Sequence, residues 1–218
     1  MSRLNTVCAM DHTPLSPGKS SARNRCFWSV PSEKDIITIS PAALSEINTI
    51  RWNVSTNRQG RVLVIDKDPG AIEIAKHIRE GDKKNGKASE YPRLRFLPEQ
   101  LGNVEDIIPN YYLARFGVKD LGCIDLDLTG TIEQVAPIAN RIASAVREHK
   151  FRRGIQLFVT FRNGRDEYGW NASEKRVNAI AFHIGMKHKW AHFYRSEHRD
   201  RNLQQKIGSS MAVVAFRF

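Results

Sequence analysis

The sequence has few cysteines, no long apolar run and no internal repeat, and each absence excludes a class of protein. Its three cysteines, Cys8, Cys26 and Cys123, lack the paired spacing of a disulfide framework or a zinc site. No apolar run approaches the roughly 20 residues that a membrane-spanning helix needs. The first residues also lack the apolar core of a secretory signal. We therefore expect a cytoplasmic protein with reduced thiols and no membrane partner.

Acidic residues are scarce relative to basic ones. The 218-residue chain has 34 lysine and arginine residues against 23 aspartate and glutamate residues, a formal net charge of +11. Such a charge favours a polyanionic partner, because each neutralised phosphate releases counterions. We expect nucleic acid as the partner; a positive surface that merely faces solvent is the alternative.

Residues 1–30 differ in character from residues 31–218. The first 30 residues are rich in Ser, Pro, Asn and Arg without a sustained period, which predicts a flexible N-terminal arm anchored at its end by Phe27 and Trp28. The remaining length suits one α/β domain. The chain is therefore expected to consist of an arm and a single domain.

Short apolar runs alternate with helical patterns in the domain. Strands are predicted over 36–40, 62–65, 94–97, 123–128 and 154–161, and two more over 191–195 and 211–218. Alternating strands and helices connect through right-handed crossovers into a mostly parallel sheet between helix layers. The expected fold class is a three-layer α/β sandwich whose last strand is antiparallel and lies at an edge of the sheet.

Two helices are predicted after the fourth and fifth strands. The first extends to about His149, and its regular part is expected to begin at Pro137, because proline costs about 3 kcal/mol inside a helix. The second begins at Asn171 and carries an apolar stripe that includes Val177 and Ile180.

An acidic residue ends the buried second strand. Residues 62–65 form a continuous apolar run that suits a strand buried on both faces, and Asp66 follows directly. Asp68 and Pro69 then fit the cap and the first position of a helix. The Asp66 carboxylate is thereby expected at the carboxyl edge of the sheet, where open α/β folds bind ligands.

The order of elements, with the segments VLVIDKDPGAIEIAK, CIDLDLTGT and GIQLFVTF, resembles the Rossmann-like class I S-adenosylmethionine-dependent methyltransferases. The resemblance covers residues 35–218 and implies S-adenosylmethionine as the cofactor. It implies that Asp66 binds the ribose hydroxyls through charge-assisted hydrogen bonds and that Glu99 reaches the adenine. The cofactor-binding candidates are Ser40, Pro41, Ala42, Glu46, Asp66, Lys67 and Glu99.

The resemblance also implies that the end of the fourth strand lies beside the methyl donor. Asp125 and Asp127 are the catalytic candidates, since a carboxylate can accept a hydrogen bond from the nucleophile or take up its proton during in-line transfer. The segment Asp127-Leu128-Thr129-Gly130 is similar to the Asp-Pro-Phe-Gly variants of RNA methyltransferases, without the proline. One of the two acids is expected to have a structural role instead.

Two basic segments are candidates for substrate binding. One is the loop after the fifth strand, at the expected ligand edge. The other, in the C-terminal third, mixes basic with aromatic residues, which suits phosphate contacts and base stacking; core packing and solvated charge are the alternative. The candidates are Arg162, Asn163, Arg165, Tyr168, Lys187, Lys189 and Arg195. The nearby histidines lack a recognised ligand pattern, so no metal is expected.

The first loop departs from the family pattern. Residues 40–46, SPAALSE, contain no glycine, whereas the family's loop is glycine-rich so that the backbone can approach the cofactor. A catalytically inactive methyltransferase-like module that binds nucleic acid or protein is therefore the alternative to a methyltransferase acting on RNA or DNA. An oxidoreductase is disfavoured because no G-x-G-x-x-G follows the first strand.

Overall fold

A computed structural model describes residues 17–39, 60, 62–66, 94–98, 121–128, 130–149, 154–164, 169–199 and 206–218. These residues contain helices α1 (Pro17–Trp28), α2 (Ile132–Glu148) and α3 (Gly169–Ile184). They also contain strands β1 (Asp35–Ile39), β2 (Val62–Asp66), β3 (Leu94–Pro98), β4 (Leu121–Asp127), β5 (Gln156–Gly164), β6 (Trp190–Arg199) and β7 (Lys206–Arg217). The helix predicted from Pro69 lies outside the described residues.

The seven described strands form one sheet in the order β3-β2-β1-β4-β5-β7-β6. Strands β1 to β5 pair in parallel, and β7 is antiparallel to both β5 and β6. This arrangement confirms the predicted α/β sandwich, its mostly parallel sheet and its antiparallel last strand.

The last strand lies inside the sheet, and β6 forms the edge beside it, so the prediction of an edge position for β7 is wrong in that detail. The reason lies in the run of residues 211–216, MAVVAF, which are all buried. A continuous apolar run needs cover on both faces and a neighbour on each side, which an interior strand provides.

Each face of the sheet has its own core. On one face, Leu126 and Val159 pack with Val135 and Ile142 of α2 and with Ile180 of α3. On the other face, residues of β4, β5 and β7 contact α1. Cys123, Phe158 and Val213 pack there with Ala22 and Phe27. Neighbouring residues such as Phe158 and Val159 thus contact opposite helix layers, as the alternation of side chains along a strand requires.

The prediction of a flexible arm over residues 1–30 is wrong for Pro17–Trp28, which form α1 and pack on the sheet. Phe27 is buried and anchors the segment as expected, whereas Trp28 is 74% exposed. The apolar contacts come from only a few residues among many polar ones, so the helical period is weak in the sequence. Residues 1–16 lie outside the described part of the chain.

Helix α1 runs from the carboxyl edge of the sheet towards the amino ends of β4 and β5. At its start, Gly18 lies against the backbone of Arg195 in β6. Just after its end, the Ser29 hydroxyl donates a hydrogen bond to Gln156 Oε1 over 3.1 Å, at the first residue of β5. The amino terminus of α1 therefore lies at the edge where α/β folds bind ligands.

Helix α2 begins at Ile132 and contains Pro137, so the prediction that its regular part starts at the proline is wrong. The Thr131 backbone N–H donates a hydrogen bond to Gln134 Oε1 over 3.0 Å, which caps the first turn. Val135 and Ala136 are buried against the sheet, while Pro137 is exposed. Capping and burial of the first turns thus offset the cost of an interior proline.

Candidate functional site

The site is built around the point where the strand order reverses. Strand β1 pairs with β2 on one side and with β4 on the other. Strands β2 and β3 therefore extend the sheet in one direction from β1, and β4 and β5 extend it in the other. In open α/β sheets, ligands bind outside the carboxyl ends of the strands at such a switch point. Here those ends are Ile39 of β1, Asp66 of β2 and Asp127 of β4.

Asp125 lies inside the sheet, two residues before the end of β4. It pairs in register with Thr38 of β1, and the Thr38 hydroxyl donates a hydrogen bond to Asp125 Oδ2 over 3.3 Å. Both residues are fully buried, at 0% exposure. This contact links β1 and β4, the two strands that flank the switch point.

Asp127 is the last residue of β4 and forms an ion pair with a residue of the first helix. Lys19 Nζ lies 3.0 Å from Asp127 Oδ2, and the two side chains are 15% and 3% exposed. Asp127 also pairs in register with Thr160 of β5. Thr160 Oγ1 is buried and, within the described part of the chain, has no hydrogen-bond partner. The carboxyl end of β4 thus combines a paired carboxylate with an adjacent hydroxyl.

The turn after β4 is held close to the end of β5. The backbone N–H of Arg162 donates a hydrogen bond to the Gly130 carbonyl over 2.8 Å. A Cβ on Gly130 would lie 2.9 Å from Gln134 Oε1, so a side chain there would disturb the cap of α2. The Arg162 side chain is exposed at this edge, whereas Asn163 is buried.

Among the described residues, Glu133 and His192 have shifted pKa values. The hydrogen bond with the Thr131 side chain is the main cause that lowers the pKa of Glu133, at the start of α2, and its backbone hydrogen bond adds to it. Glu133 is almost fully exposed, so this carboxylate adds negative charge to the surface at the start of α2. Burial, followed by the nearby charge of Arg25, lowers the pKa of His192 in β6. Both groups stay in their ordinary neutral-pH forms.

The structure separates the predicted C-terminal substrate residues. Arg195 pairs with Ser210, which also pairs with Gly164 at the end of β5, so Arg195 lies at the level of the ligand edge. Lys187 and Lys189 precede β6, and its first residue, Trp190, is level with Phe158 near the start of β5. These two lysines therefore lie towards the opposite end of the sheet from Asp127.

Several predicted site residues lie outside the described residues. Asp66 is described as the final residue of β2, where it pairs with Pro98 at the end of β3. The predicted site residues that lie outside the described part of the chain are Ser40, Pro41, Ala42, Glu46, Lys67, Glu99, Arg165 and Tyr168.

Sequence reasoning missed Lys19, because it assigned the whole segment to an arm. The signal that could have located it is the spacing of Ala22, Cys26, Phe27 and Val30, which are all buried on one side of the segment. That spacing, with Pro17 at the first helical position, is typical of a short packed helix.

The described residues hold no group of three or more His, Cys, Asp or Glu side chains arranged to bind a metal ion. Among the described helices, none combines the length and apolarity that crossing a membrane requires.

Solved structures share this fold. TYW2 of P. horikoshii, in complex with MeSAdo, has a TM-score of 0.55 at 12% identity over 94% of this chain and 64% of TYW2. A candidate rRNA methylase from Clostridium thermocellum has a TM-score of 0.50 at 10% identity, over 94% of this chain and 100% of the methylase. TrmN from Thermus thermophilus has a TM-score of 0.51 at 11% identity over 91% of this chain and 47% of TrmN.

At these identities the likeness concerns the fold, which is the Rossmann-like methyltransferase fold. Comparison of the sequence with protein-family models and with curated proteins gives no match.

Proposed function

We propose that this protein is an S-adenosylmethionine-dependent methyltransferase that acts on nucleic acid, RNA or DNA. The observation that carries the proposal is the position of Asp127, a buried carboxylate at the carboxyl end of β4, beside the switch point of a methyltransferase-like sheet. Its neighbours Lys19 and Thr160 add a cation and a hydroxyl at the same place.

The strand ends fit the cofactor. Asp66 and Pro98 end two adjacent strands beside the end of β1, so an acidic residue stands one strand away from the switch point. A carboxylate in that position can accept hydrogen bonds from two vicinal ribose hydroxyls. We assign the ribose to Asp66 and Lys67, the adenine to Glu99, and the amino-acid part to Ser40, Pro41, Ala42 and Glu46. When bound, S-adenosylmethionine supplies an electrophilic methyl group on its sulfonium sulfur.

Asp127 orients the nucleophile of the substrate. As a hydrogen-bond acceptor it aligns a target N–H or O–H, and as a base it takes up the proton that the nucleophile releases. Because the carboxylate is only 3% exposed, water competes weakly for it, which strengthens such a hydrogen bond. Asp125, which is hydrogen-bonded to Thr38, keeps β1 and β4 in register beneath it.

Charge and position support a nucleic-acid substrate. The net charge of +11 favours polyanions, and Arg162 and Arg195 are exposed at the level of the ligand edge. The candidate rRNA methylase that shares the fold is matched over its full length. We propose the cytoplasm as the location, because the three cysteines of the sequence lack the paired spacing of a disulfide framework.

Transfer of a labelled methyl group from S-adenosylmethionine tests the proposal. We expect the wild-type protein to label RNA or DNA and the Asp127→Asn variant to lose about 10²- to 10⁴-fold in rate, the usual contribution of an acid–base group. The Arg25→Gln variant, altered on α1 away from Asp127, is the matched control. Absence of labelling on all nucleic acids, with the cofactor bound, contradicts the proposal.

A second candidate function is a methyltransferase-like module that binds nucleic acid without catalysis. The Lys19 ammonium already contacts the Asp127 carboxylate, as a purely structural ion pair would require. The glycine-free segment 40–46 points the same way. RNA binding with a steep salt dependence and without methyl transfer would favour this candidate.

A further inference from the structure

The Lys19–Asp127 ion pair joins the first helix to the end of β4. The cofactor and acceptor positions proposed above involve no residue of α1, so the presence of a lysine from α1 at this point needs a separate explanation. We propose that Lys19 is a positioning residue, which keeps the Asp127 carboxylate ionised and fixed in direction and so makes α1 part of the site. This role adds a positioning residue to the proposed methyltransferase site and rests on that proposed function.

The position of Lys19 is fixed by close packing of α1. Gly18 precedes it directly, and a Cβ on Gly18 would lie 2.7 Å from the Arg195 carbonyl oxygen, so only glycine permits this approach to β6. At the other end of the helix, Gln156 Nε2 donates a hydrogen bond to the Ser29 carbonyl over 2.8 Å. Phe27, buried at 1% exposure, anchors the turn between these ends. The helix is thus held at both ends, and the lysine enters the site from a rigid element.

Lys19 is a cation in direct contact with the Asp127 carboxylate. Other charged or titratable groups on the described elements of this face include Asp125 two residues earlier on β4, Arg162 two residues beyond Thr160 on β5, and Arg25 of α1 with His192 of β6. Asp125, a buried acid on the same face, disfavours a second ionised carboxylate, and Arg162 is exposed to screening solvent. Lys19, only 15% exposed, acts at 3.0 Å in a region of low dielectric constant.

The ion pair also restricts the direction of the carboxylate. The contact between Lys19 Nζ and Asp127 Oδ2 favours the side-chain rotamer of Asp127 in which this oxygen faces the ammonium group. Orientation of a reacting group is a large part of catalysis by approximation, so loss of the lysine affects turnover beyond its effect on charge.

Titration of the Asp127 carboxyl carbon by NMR tests the proposal without cofactor or substrate. We expect Lys19→Gln to move the Asp127 titration to higher pH by about one to three units, the usual effect of an opposite charge at this distance. Lys19→Arg keeps a cation and restores most of the shift. Arg25→Gln removes a cation from the same helix, where it stacks 4.5 Å from the Trp190 ring, and leaves the titration unchanged.

An Asp127 titration that is the same in wild type and Lys19→Gln overturns the proposal. Should Lys19→Gln fail to fold, Asp127→Asn provides the reverse measurement: the Lys19 amine must then titrate at lower pH than in the wild type, and an unchanged amine titration overturns the proposal equally.

Activity separates a positioning role from a purely structural one. In a protein that methylates nucleic acid, Lys19→Gln moves the acid limb of the pH–rate profile to higher pH and lowers kcat more than it raises KM. Lys19→Gln kinetics equal to those of wild type at every pH overturn the positioning role. If wild type transfers no methyl group while the titrations behave as expected, the proposed function fails and the ion-pair assignment stands.

Discussion

Thr38 shows how one hydroxyl can hold a strand pair together at the site. Its side chain donates a hydrogen bond to the buried Asp125 carboxylate. We expect Thr38→Val, which keeps the shape and removes the donor, to lower the free energy of unfolding by about 1–3 kcal/mol, because the carboxylate loses a partner without access to water. Urea unfolding measures the change. The Thr160→Val variant is the control, since Thr160 Oγ1 has no hydrogen-bond partner among the described residues. Equal losses in the two variants would contradict the account.

His192 gives the stability a pH dependence of predictable sign. Burial, and then Arg25, lowers the pKa of this imidazole in the folded protein, so the unfolded chain takes up the proton at higher pH than the folded chain. Stability from this group is therefore complete above the unfolded value of about 6.5 and is lost as the pH falls below it. We expect His192→Phe, which keeps the stacking on Tyr194, to lose less stability than wild type between about pH 7.5 and pH 5. Parallel losses in urea midpoint would show that His192 does not contribute.

At the scale of elements, the docking of α1 depends on Gly18. A Cβ at this position would meet the backbone of Arg195 at 2.7 Å, and a strand backbone cannot move aside as a flexible side chain can. We expect Gly18→Ala to reduce the free energy of unfolding by about 1–3 kcal/mol, the usual cost of overpacking. Ser21→Ala, at an exposed position of the same helix, is the matched control and changes little. A Gly18→Ala variant as stable as wild type would mean that α1 is not held against β6.

The helices show why element bounds were harder to predict than element types. The predicted end of α2 near His149 is confirmed, but the predicted start at Pro137 is wrong, because burial of Val135 and Ala136 stabilises the turns before the proline. The sequence pattern does not indicate α1, because most of its residues are polar and only a few pack against the sheet. In both cases tertiary contacts, which no local pattern contains, decide where the helix begins.

For the whole molecule, the sheet was largely predictable and the site only in part. The continuous apolar run of residues 62–65 predicts a parallel strand buried on both faces, and an acid at the end of a strand, as at Asp66 and Asp127, indicates the ligand edge. The interior place of β7 and the contact of Lys19 with Asp127 were not predictable, because both depend on elements distant in sequence. The position of Asp127 at the end of β4 was therefore predictable from the sequence, and its ion pair with Lys19 was not.

The positions of exposed arginines predict where nucleic acid would contact the molecule. Arg162 and Arg195 lie at the ligand edge, so Arg195→Ala should weaken RNA binding and reduce the slope of log affinity against log salt by about one. Lys187→Ala removes an equal charge towards the opposite end of the sheet and is the matched control. Fluorescence anisotropy over a range of salt concentrations measures both. Equal effects of the two variants would indicate diffuse attraction to the whole basic surface.

The central claim, a methyltransferase site at the carboxyl edge of the sheet, is tested most directly by calorimetric titration with S-adenosylmethionine. We predict saturable binding to the wild-type protein and its loss in Asp66→Ala, because that carboxylate, at the end of β2, is assigned to the ribose hydroxyls. No detectable heat of binding at millimolar ligand would contradict the claim. Binding unchanged by Asp66→Ala would contradict the assignment of the ribose.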